Sequence, residues 1–378
     1  MQKDSFANDE HYMRRAIELA KKGGGWTAPN PLVGAVIVKA GKIIGEGYHK
    51  KYGCLHAERN AFADCEEDTY GATLYVTLEP CCHYGKTPPC TDIIIDNKIA
   101  RVVIGSRDPN PKVAGKGAEI LRENGIRVDE DFMIKECDNI NATFFRYITT
   151  GLPYVVMKYA MTLDGKIATA EGLSKWITGE SAREHVHSMR GRYAAVMVGI
   201  GTVLDDDPML NCRLEGAHQP VRVICDSKLR IPKESNICKT ARTYRTIVAC
   251  GKGCEGLEAK IAELEEIGIS IIRISECKGG IDLRELIHKL GEMQIDSVLI
   301  EGGGTLNESA VRLGIVDHVC AYIAPKIFGG KNAKTPVEGE GIGRPDEALE
   351  LEDLRITKFC RDILLEYDVK GRALCSRE

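Results

Sequence analysis

The 378-residue chain has no apolar run long enough to cross a membrane, so a membrane partner is not expected. A basic excess is missing too: 51 Lys and Arg stand against 55 Asp and Glu, a formal charge of −4. Bulk electrostatics therefore give a nucleic-acid partner no support, although a local basic pocket for a phosphate stays open. The opening MQKDSFANDEHYMRRAIELAKK lacks an apolar core between a basic start and a cleavage site. It reads as an amphipathic helix, not a signal peptide. Internal repeats and low-complexity tracts are also lacking, and the glycine-rich VLIEGGG turn does not have the G-x-G-x-x-G spacing of a dinucleotide fingerprint. With no secretory pattern, the 15 cysteines read as reduced thiols of a cytosol, where clustered cysteines bind metal or catalyse. A soluble cytoplasmic protein is expected.

What is present fits two α/β domains. The length exceeds one ordinary core. Helical spacing over 9–22 precedes LVGAVIVKAGKIIGEGYH, two strands turning at Ala40-Gly41. Then HAERNAFADC reads as helix, TLYVTLE as strand, TDIIIDNKI as helix, RVVIGS as strand, and GKGAEILRENG as a helix stopped by Gly125. Such alternation makes a sheet sandwiched by helices. The pattern restarts around ITTGLPYV, where Gly151 and Pro153 mark a boundary, giving domains 1–148 and 149–378. YVVMKYAMT, AAVMVGI, VRVICDS, TIVAC, SIIRIS, DSVLIEGG and VCAYIAPKIF read as strands of the second domain. SAREHVHSMRGRY, LEAKIAELEEIG and LRELIHKLGEMQ read as helices, and ITKFCRDILLEYDVKG as a closing strand pair.

The densest chemistry lies in VTLEPCCHYGKTPPCTD at 76–92, downstream of His56-Ala57-Glu58. Histidine and glutamate two apart, then Pro-Cys and a further cysteine, is the arrangement of zinc-dependent base deaminases. Borderline-soft Zn²⁺ accepts one imidazole and two thiolates and keeps a fourth position for water, whose pKa it lowers. Glu58 would not bind the metal but would shuttle the water's proton to the ring nitrogen and the departing ammonia. Cys81 follows Pro80, and Cys90 follows Pro88-Pro89 at the mouth of a helix, where a thiolate is stabilised. His56, Cys81 and Cys90 are therefore the expected ligands, with adjacent Cys82 a packing residue and His83 at the pocket opening. A closed structural zinc knot of Cys81, Cys82, His83 and Cys90 is the bland alternative, and an H-x-E triplet alone is commonplace. Cys250 and Cys254, with no histidine near, read as structural.

Zinc deaminases usually place two residues between the cysteines, whereas residues 82–89 intervene here. That spacing, with PNPLVGAVIV at 29–38 and PCCHYGKTPPC at 80–90, resembles the deaminase half of the bifunctional riboflavin-biosynthesis deaminase–reductase family. In that family a serine typically stands where this chain has Cys82. KYAMTLDGKIATAEGLSKWITG, GTVLDDDPMLNCR and VLIEGGGTLNESA resemble its reductase half. The resemblance implies a cytidine-deaminase-like α/β/α sandwich followed by a dihydrofolate-reductase-like α/β domain. It also implies two successive reactions on one phosphorylated ribosylaminopyrimidine. Zinc-dependent deamination of 2,5-diamino-6-ribosylamino-4(3H)-pyrimidinone 5′-phosphate would come first, and NADPH-dependent reduction of the ribosyl group to ribityl second. Asn30, His83 and Lys86 would then contact the deaminase substrate, Lys86 suiting its phosphate unless it is a solvated surface lysine. A homo-oligomer is expected.

In the reductase half, VLIEGGG before TLNESAVRLG is a glycine-rich turn opening a helix, which admits a phosphate or is an ordinary connection. The resemblance places Gly303, Gly304, Thr305, Leu306, Asn307, Glu308 and Ser309 against NADPH, with Ala160, Trp176, Thr202, Asp206 and Ser227. It places Ser174, Arg190, Leu210, Arg213 and Glu301 against the substrate, where two guanidiniums suit a sugar phosphate. Core packing for Trp176 and a solvated helix face for Arg190 are the plain alternatives. Lys158, polar inside an apolar strand, is a candidate for orienting the ribose or polarising its imine. Two other functions compete: a nucleoside or tRNA-base deaminase fused to an unrelated domain, and a non-catalytic zinc-stabilised binding module. The second would leave Glu58 without a role.

Overall fold

The computed structural model describes residues 2–84, 87–110, 113–254, 256–278 and 280–372. The chain divides into two compact units, one ending at Gly151 and the other opening at Leu152. Among the described residues, no helix is long and apolar enough to cross a membrane.

The first unit is built on one five-stranded sheet. Its elements run α1 (Gln2–Lys21), β1 (Gly34–Lys39), β2 (Lys42–Tyr48), α2 (Ala57–Asp64), β3 (Thr73–Leu78), α3 (Cys90–Asp96), β4 (Arg101–Ser106), α4 (Lys116–Glu123), β5 (Arg127–Asp129) and α5 (Ile134–Thr150). The strand order is β2-β1-β3-β4-β5, with β1 antiparallel to its neighbours and β3, β4 and β5 parallel. Period-two alternation sends successive side chains to opposite faces. Ala35 and Ile37 of β1 and Val102 and Ile104 of β4 pack with Ala61, Ile94 and Leu121 of α2, α3 and α4. Val36, Val38 and Val103 pack on the other face with Met13, Ala16, Cys137 and Ile140 of α1 and α5. The result is the α/β/α sandwich expected from the alternation.

The hairpin turns at Ala40-Gly41, both at positive φ (51° and 78°), as a two-residue type I′ loop requires. α1 begins well before the expected Asp9. Helix α5 was not read from the sequence, although Cys137, Ile140, Phe144 and Ile148 recur at helical spacing up to the left-handed cap at Gly151. Its buried Asn141 clamps the loop before β1: the amide oxygen accepts from Leu32 N at 2.8 Å and Nδ2 donates to Leu32 O at 2.9 Å.

The second unit holds a nine-stranded sheet. It contains β6 (Tyr154–Thr162), α6 (Glu180–Arg192), β7 (Ala195–Gly199), α7 (Ile200–Asp206), β8 (Val221–Cys225), α8 (Asn236–Lys239), β9 (Thr246–Gly251), α9 (Glu258–Glu266) and β10 (Ile269–Ile274). A two-stranded ribbon of β11 (Glu276–Cys277) and β12 (Gly280–Ile281) precedes α10 (Leu283–Glu292), β13 (Ser297–Ile300), α11 (Gly304–Arg312), β14 (His318–Ala324), β15 (Leu351–Phe359) and β16 (Asp362–Val369). The order is β10-β9-β8-β7-β13-β6-β14-β16-β15, parallel from β10 through β14 and antiparallel at the closing pair. The parallel strands read as continuous apolar runs because both faces are covered. One core joins Met157, Met197 and Val223 to α10 and α11. The other joins Val198, Ile224 and Val248 to α7, α8 and α9. The strand expected over VCAYIAPKIF stops at Ala324, since Pro325 has no N–H to extend the ladder.

Gly34 marks the tightest helix–strand approach: a Cβ there would lie 1.9 Å from Ala16 O and 2.8 Å from Ala20 N. Gly34→Ala must push α1 off β1. Thermal unfolding should show a loss of about 1–3 kcal/mol, the usual cost of overpacking, whereas an unchanged midpoint would contradict this packing.

Candidate active sites

In the first unit, three elements converge on one point. His56 is the residue just before α2, Cys81 follows the C-terminal end of β3, and Cys90 opens α3. Cys81 Sγ and Cys90 Sγ each lie 3.4 Å from His56 Nδ1. These three ligand atoms all fall within 4.8 Å of one another. Backbone bonds from Cys90 N (2.9 Å) and Thr91 N (3.2 Å) to Cys81 O fasten the ends of the intervening loop. Arg59 pins it again, with Nη2 2.8 Å from Pro89 O. Thr87 Oγ1 sits 3.4 Å from His56 Nε2, steadying the ring's far side. Cys82 and His83 are not part of the cluster, so the closed knot of the alternative reading does not form.

The electrostatics fit a cation at this point. The Cys90 thiol hydrogen-bonds Cys81, and with His56 this holds Cys81 well below the ordinary thiol range. Cys90, as the proton donor in a buried setting, is pushed up. Two thiols and one imidazole nitrogen meet at a single point, the donor set a soft divalent ion takes. Hydrogen bonding to Cys81 raises His56. Glu58 is buried beside the cluster, and burial raises its carboxyl, helped by the negative charge at Cys81.

A cavity of about 310 Å³ opens over this cluster, and Asn30, Glu58 and His83 line it. His83 Nδ1 is buried there without a partner. Lys86 lies outside the described residues. Sequence reasoning passed over His49 and Asp108, which also line the cavity. His49 Nδ1 donates to Leu55 O at 3.1 Å, so its Nε2 is left to accept from Asn30 Nδ2 at 3.3 Å. Burial pushes the Asp108 carboxyl up to about 7. Neither residue stands in a recurring local pattern, which is why the sequence did not show them.

The second unit has a cavity of about 480 Å³ at the C-terminal ends of β6, β13, β7 and β8, where parallel sheets present ligand sites. Lys158, Ala160, Ser174, Thr202, Asp206, Ser227 and Glu301 line it, as do Gly303, Gly304, Thr305, Leu306, Asn307 and Ser309. Gly302 has φ +119°, a conformation glycine tolerates, and a Cβ on Gly304 would meet Glu338 Cγ at 2.5 Å. Gly304 thus lies tight against the segment at Thr335 and Glu338, and the turn presents the first-turn amides of α11. Asn307 donates to Pro336 O at 2.8 Å and keeps a buried Oδ1 without a partner. Together these features fit a dinucleotide phosphate and its neighbouring groups.

Other residues of the expected set lie off the cavity lining. Trp176 is 62% exposed beneath Arg183, whose guanidinium is 4.5 Å from its ring centroid. Glu308 pairs with Arg312 at 3.0 Å, Leu210 is 2% exposed within the core beside β7 and β8, and Arg213 is exposed. Arg190 spends its guanidinium fork on Glu301 at 2.5 and 2.9 Å and on Asn211 O at 3.2 Å. Lys158 Nζ lies 3.6 Å from the same Glu301. Burial opposes ionisation of Glu301, but Arg190 and Lys158 outweigh it and bring its pKa to about 2. Burial also lowers Lys158, against support from Glu301.

These two pockets, a histidine–dithiolate cluster with a buried glutamate and a glycine-turn cavity at a parallel sheet's edge, define a deaminase–reductase. Residues 6–106 match the cytidine and deoxycytidylate deaminase zinc-binding region, and residues 153–365 match the RibD C-terminal domain. The chain belongs to the riboflavin biosynthesis protein RibD family. It is 55% identical to the RibD protein of Actinobacillus pleuropneumoniae, over 96% of this chain and 95% of that protein. It is 42% identical to that of Aquifex aeolicus, over 94% and 97%. The crystal structure of a diaminohydroxyphosphoribosylaminopyrimidine deaminase/5-amino-6-(5-phosphoribosylamino)uracil reductase from Thermotoga maritima superposes with a TM-score of 0.85 at 40% identity, covering 97% of this chain and 99% of that one. Acinetobacter baumannii RibD gives 0.84 at 38%, covering 97% and 100%.

The Glu301 cluster yields a stability test. Arg190→Met leaves a buried carboxylate supported by Lys158 alone and should destabilise the second unit by about 3–5 kcal/mol in urea unfolding. A loss below ~1 kcal/mol, the range of exposed pairs, would contradict a buried ion-pair cluster.

Proposed function

We propose that the first unit hydrolyses the amino group of 2,5-diamino-6-ribosylamino-4(3H)-pyrimidinone 5′-phosphate and that the second reduces the ribosyl group of the product to ribityl with NADPH. The observation that carries the first half is the meeting of His56, Cys81 and Cys90 with Glu58 buried alongside. Zinc held by the imidazole and two thiolates supplies the Lewis acidity that makes water nucleophilic near neutral pH. Glu58 as the carboxylate, its basicity raised by burial, would accept a proton from the attacking water and pass it to the ring nitrogen, then carry the second proton from the newly added hydroxyl to the leaving ammonia. His49 fixes which way the Asn30 amide points, so that Asn30 offers its oxygen to a donor on the pyrimidine.

In the second unit NADPH supplies the hydride, and the protein supplies position and charge. Lys158, held by Glu301 at the cavity wall, orients the opened ribose imine. Arg190, its fork already occupied, acts by fixing Glu301, which leaves the exposed Arg213 for the substrate phosphate. The reading places the chain in the cytoplasm, in keeping with 14 free cysteines among the described residues. It also takes the chain to be a homo-oligomer. Leu351, Leu354 and Ile356 on edge strand β15 are exposed apolar groups of the kind a second copy would cover.

Two measurements test this. Glu58→Gln should keep one zinc per chain, lose ammonia release by about 10²–10⁴-fold, and still oxidise NADPH when given the deaminated substrate. Unchanged ammonia release would remove Glu58 from the chemistry. Glu301→Gln withdraws the charge that keeps Lys158 protonated, so the alkaline limb of the reductase pH profile should move to lower pH. A limb that stays in place would exclude Lys158 as the titrating group.

A further inference from the structure

Among the described residues, a second group of metal-ligating side chains converges in the second unit, away from the lining of either cavity. β14 and β16 are antiparallel neighbours, with His318 opposite Asp368 and Cys320 opposite Glu366. Residues two apart on a strand share a face. His-x-Cys on one strand therefore meets Glu-x-Asp on the other as a square of four side chains. His318 and Cys320 are buried, at 6% and 1% exposure, while Glu366 is partly open to solvent. A ring nitrogen of His318, the Cys320 sulfur and a Glu366 oxygen lie within 4.8 Å of one another.

Asp368 decides which ring nitrogen is available. His318 Nδ1 lies 2.7 Å from Asp368 Oδ1 and donates to it, which leaves Nε2 for the other two groups. Arg355 donates to both oxygens of Asp368 at 3.1 Å, so the carboxylate is fixed behind the ring. A carboxylate in that place orients a metal-binding imidazole and raises its basicity. Nε2 faces Glu366 Oε1 at 3.8 Å, wider than a hydrogen bond. Two ligand atoms on one tetrahedral zinc stand roughly 3.4–3.6 Å apart, given the usual bond lengths. Tyr322, next along this face, spends its hydroxyl on His185 Nδ1 at 2.6 Å and Met189 Sδ at 3.2 Å. The fourth position falls to water, reached past Glu366.

We infer that His318 Nε2, Cys320 Sγ and the Glu366 carboxylate form a second site, for a divalent cation of the zinc type, which staples β14 to β16. It offers one thiolate where His56, Cys81 and Cys90 offer two, so it is the weaker of the two sites. It fills when ion is supplied beyond the one zinc of the first unit. Binding releases to solvent the protons that the ligand atoms carry.

Titrating the one-zinc chain with Co²⁺ tests this. Cobalt binds such donors less tightly than zinc, so the resident ion stays in place. One further equivalent should bind, with the near-ultraviolet sulfur-to-cobalt absorption that marks a thiolate ligand. Added Zn²⁺ should bleach that absorption, and Cys320→Ser should abolish it. Asp368→Asn, which touches no metal, should weaken cobalt binding by roughly 10- to 100-fold. A parent chain that takes up no further equivalent, or takes it up without the absorption, would overturn the inference whether or not the variants fold. An absorption that survives in Cys320→Ser would overturn it as well.

Discussion

The amide of Cys90 donates to the carbonyl of Cys81 at 2.9 Å, and the meeting of two sulfurs at one imidazole depends on that closure. It brings together the ends of a loop eight residues longer than adjacency would need, so that two sulfurs face one imidazole nitrogen. The three ligand atoms, from three separate elements, thereby share a 4.8 Å neighbourhood. Arg59 reinforces the closure from the helix that carries Glu58, which couples the position of the proton carrier to the geometry of the cluster. A metal centre and a buried carboxyl are thereby set by the same few contacts.

Both units place their chemistry at the C-terminal edge of parallel strands. In the first, Cys81 and Asp108 follow β3 and β4. In the second, Glu301, Gly199 and Ser227 follow or end β13, β7 and β8. The strands are continuous apolar runs with both faces buried, so their ends are where polar groups can meet a ligand at low cost. The polar groups differ in how they are held. In the first unit a buried carboxyl is kept ready to carry a proton. In the second, Glu301 is held ionised by two cations, which makes it a fixed anchor and not a proton carrier.

Much of this was legible in the sequence because the informative residues are local. Proline before cysteine, histidine two positions before glutamate, and glycines between a strand and a helix each announce a backbone or metal requirement over a few residues. The alternation of helical and strand patterns made the sandwich of the first unit and the strands of the second legible. Residues acting through long-range contacts were not legible. Asn141 works by clamping Leu32, 109 positions away, and His49 by orienting Asn30. Arg190 looked like a free phosphate ligand because its fork and Glu301 meet across 111 positions. Helix α5 carried a periodic pattern, but its polar and aromatic mixture hid it.

The central claim is that one histidine and two cysteines separated by a loop hold the metal, with Cys82 outside the set. X-ray absorption at the zinc edge of the purified chain measures this directly. The account predicts two sulfurs at about 2.3 Å, one nitrogen at about 2.0–2.1 Å and one light oxygen-type ligand. A shell of three sulfurs, drawing in Cys82, or a chain that takes up no zinc, would contradict it.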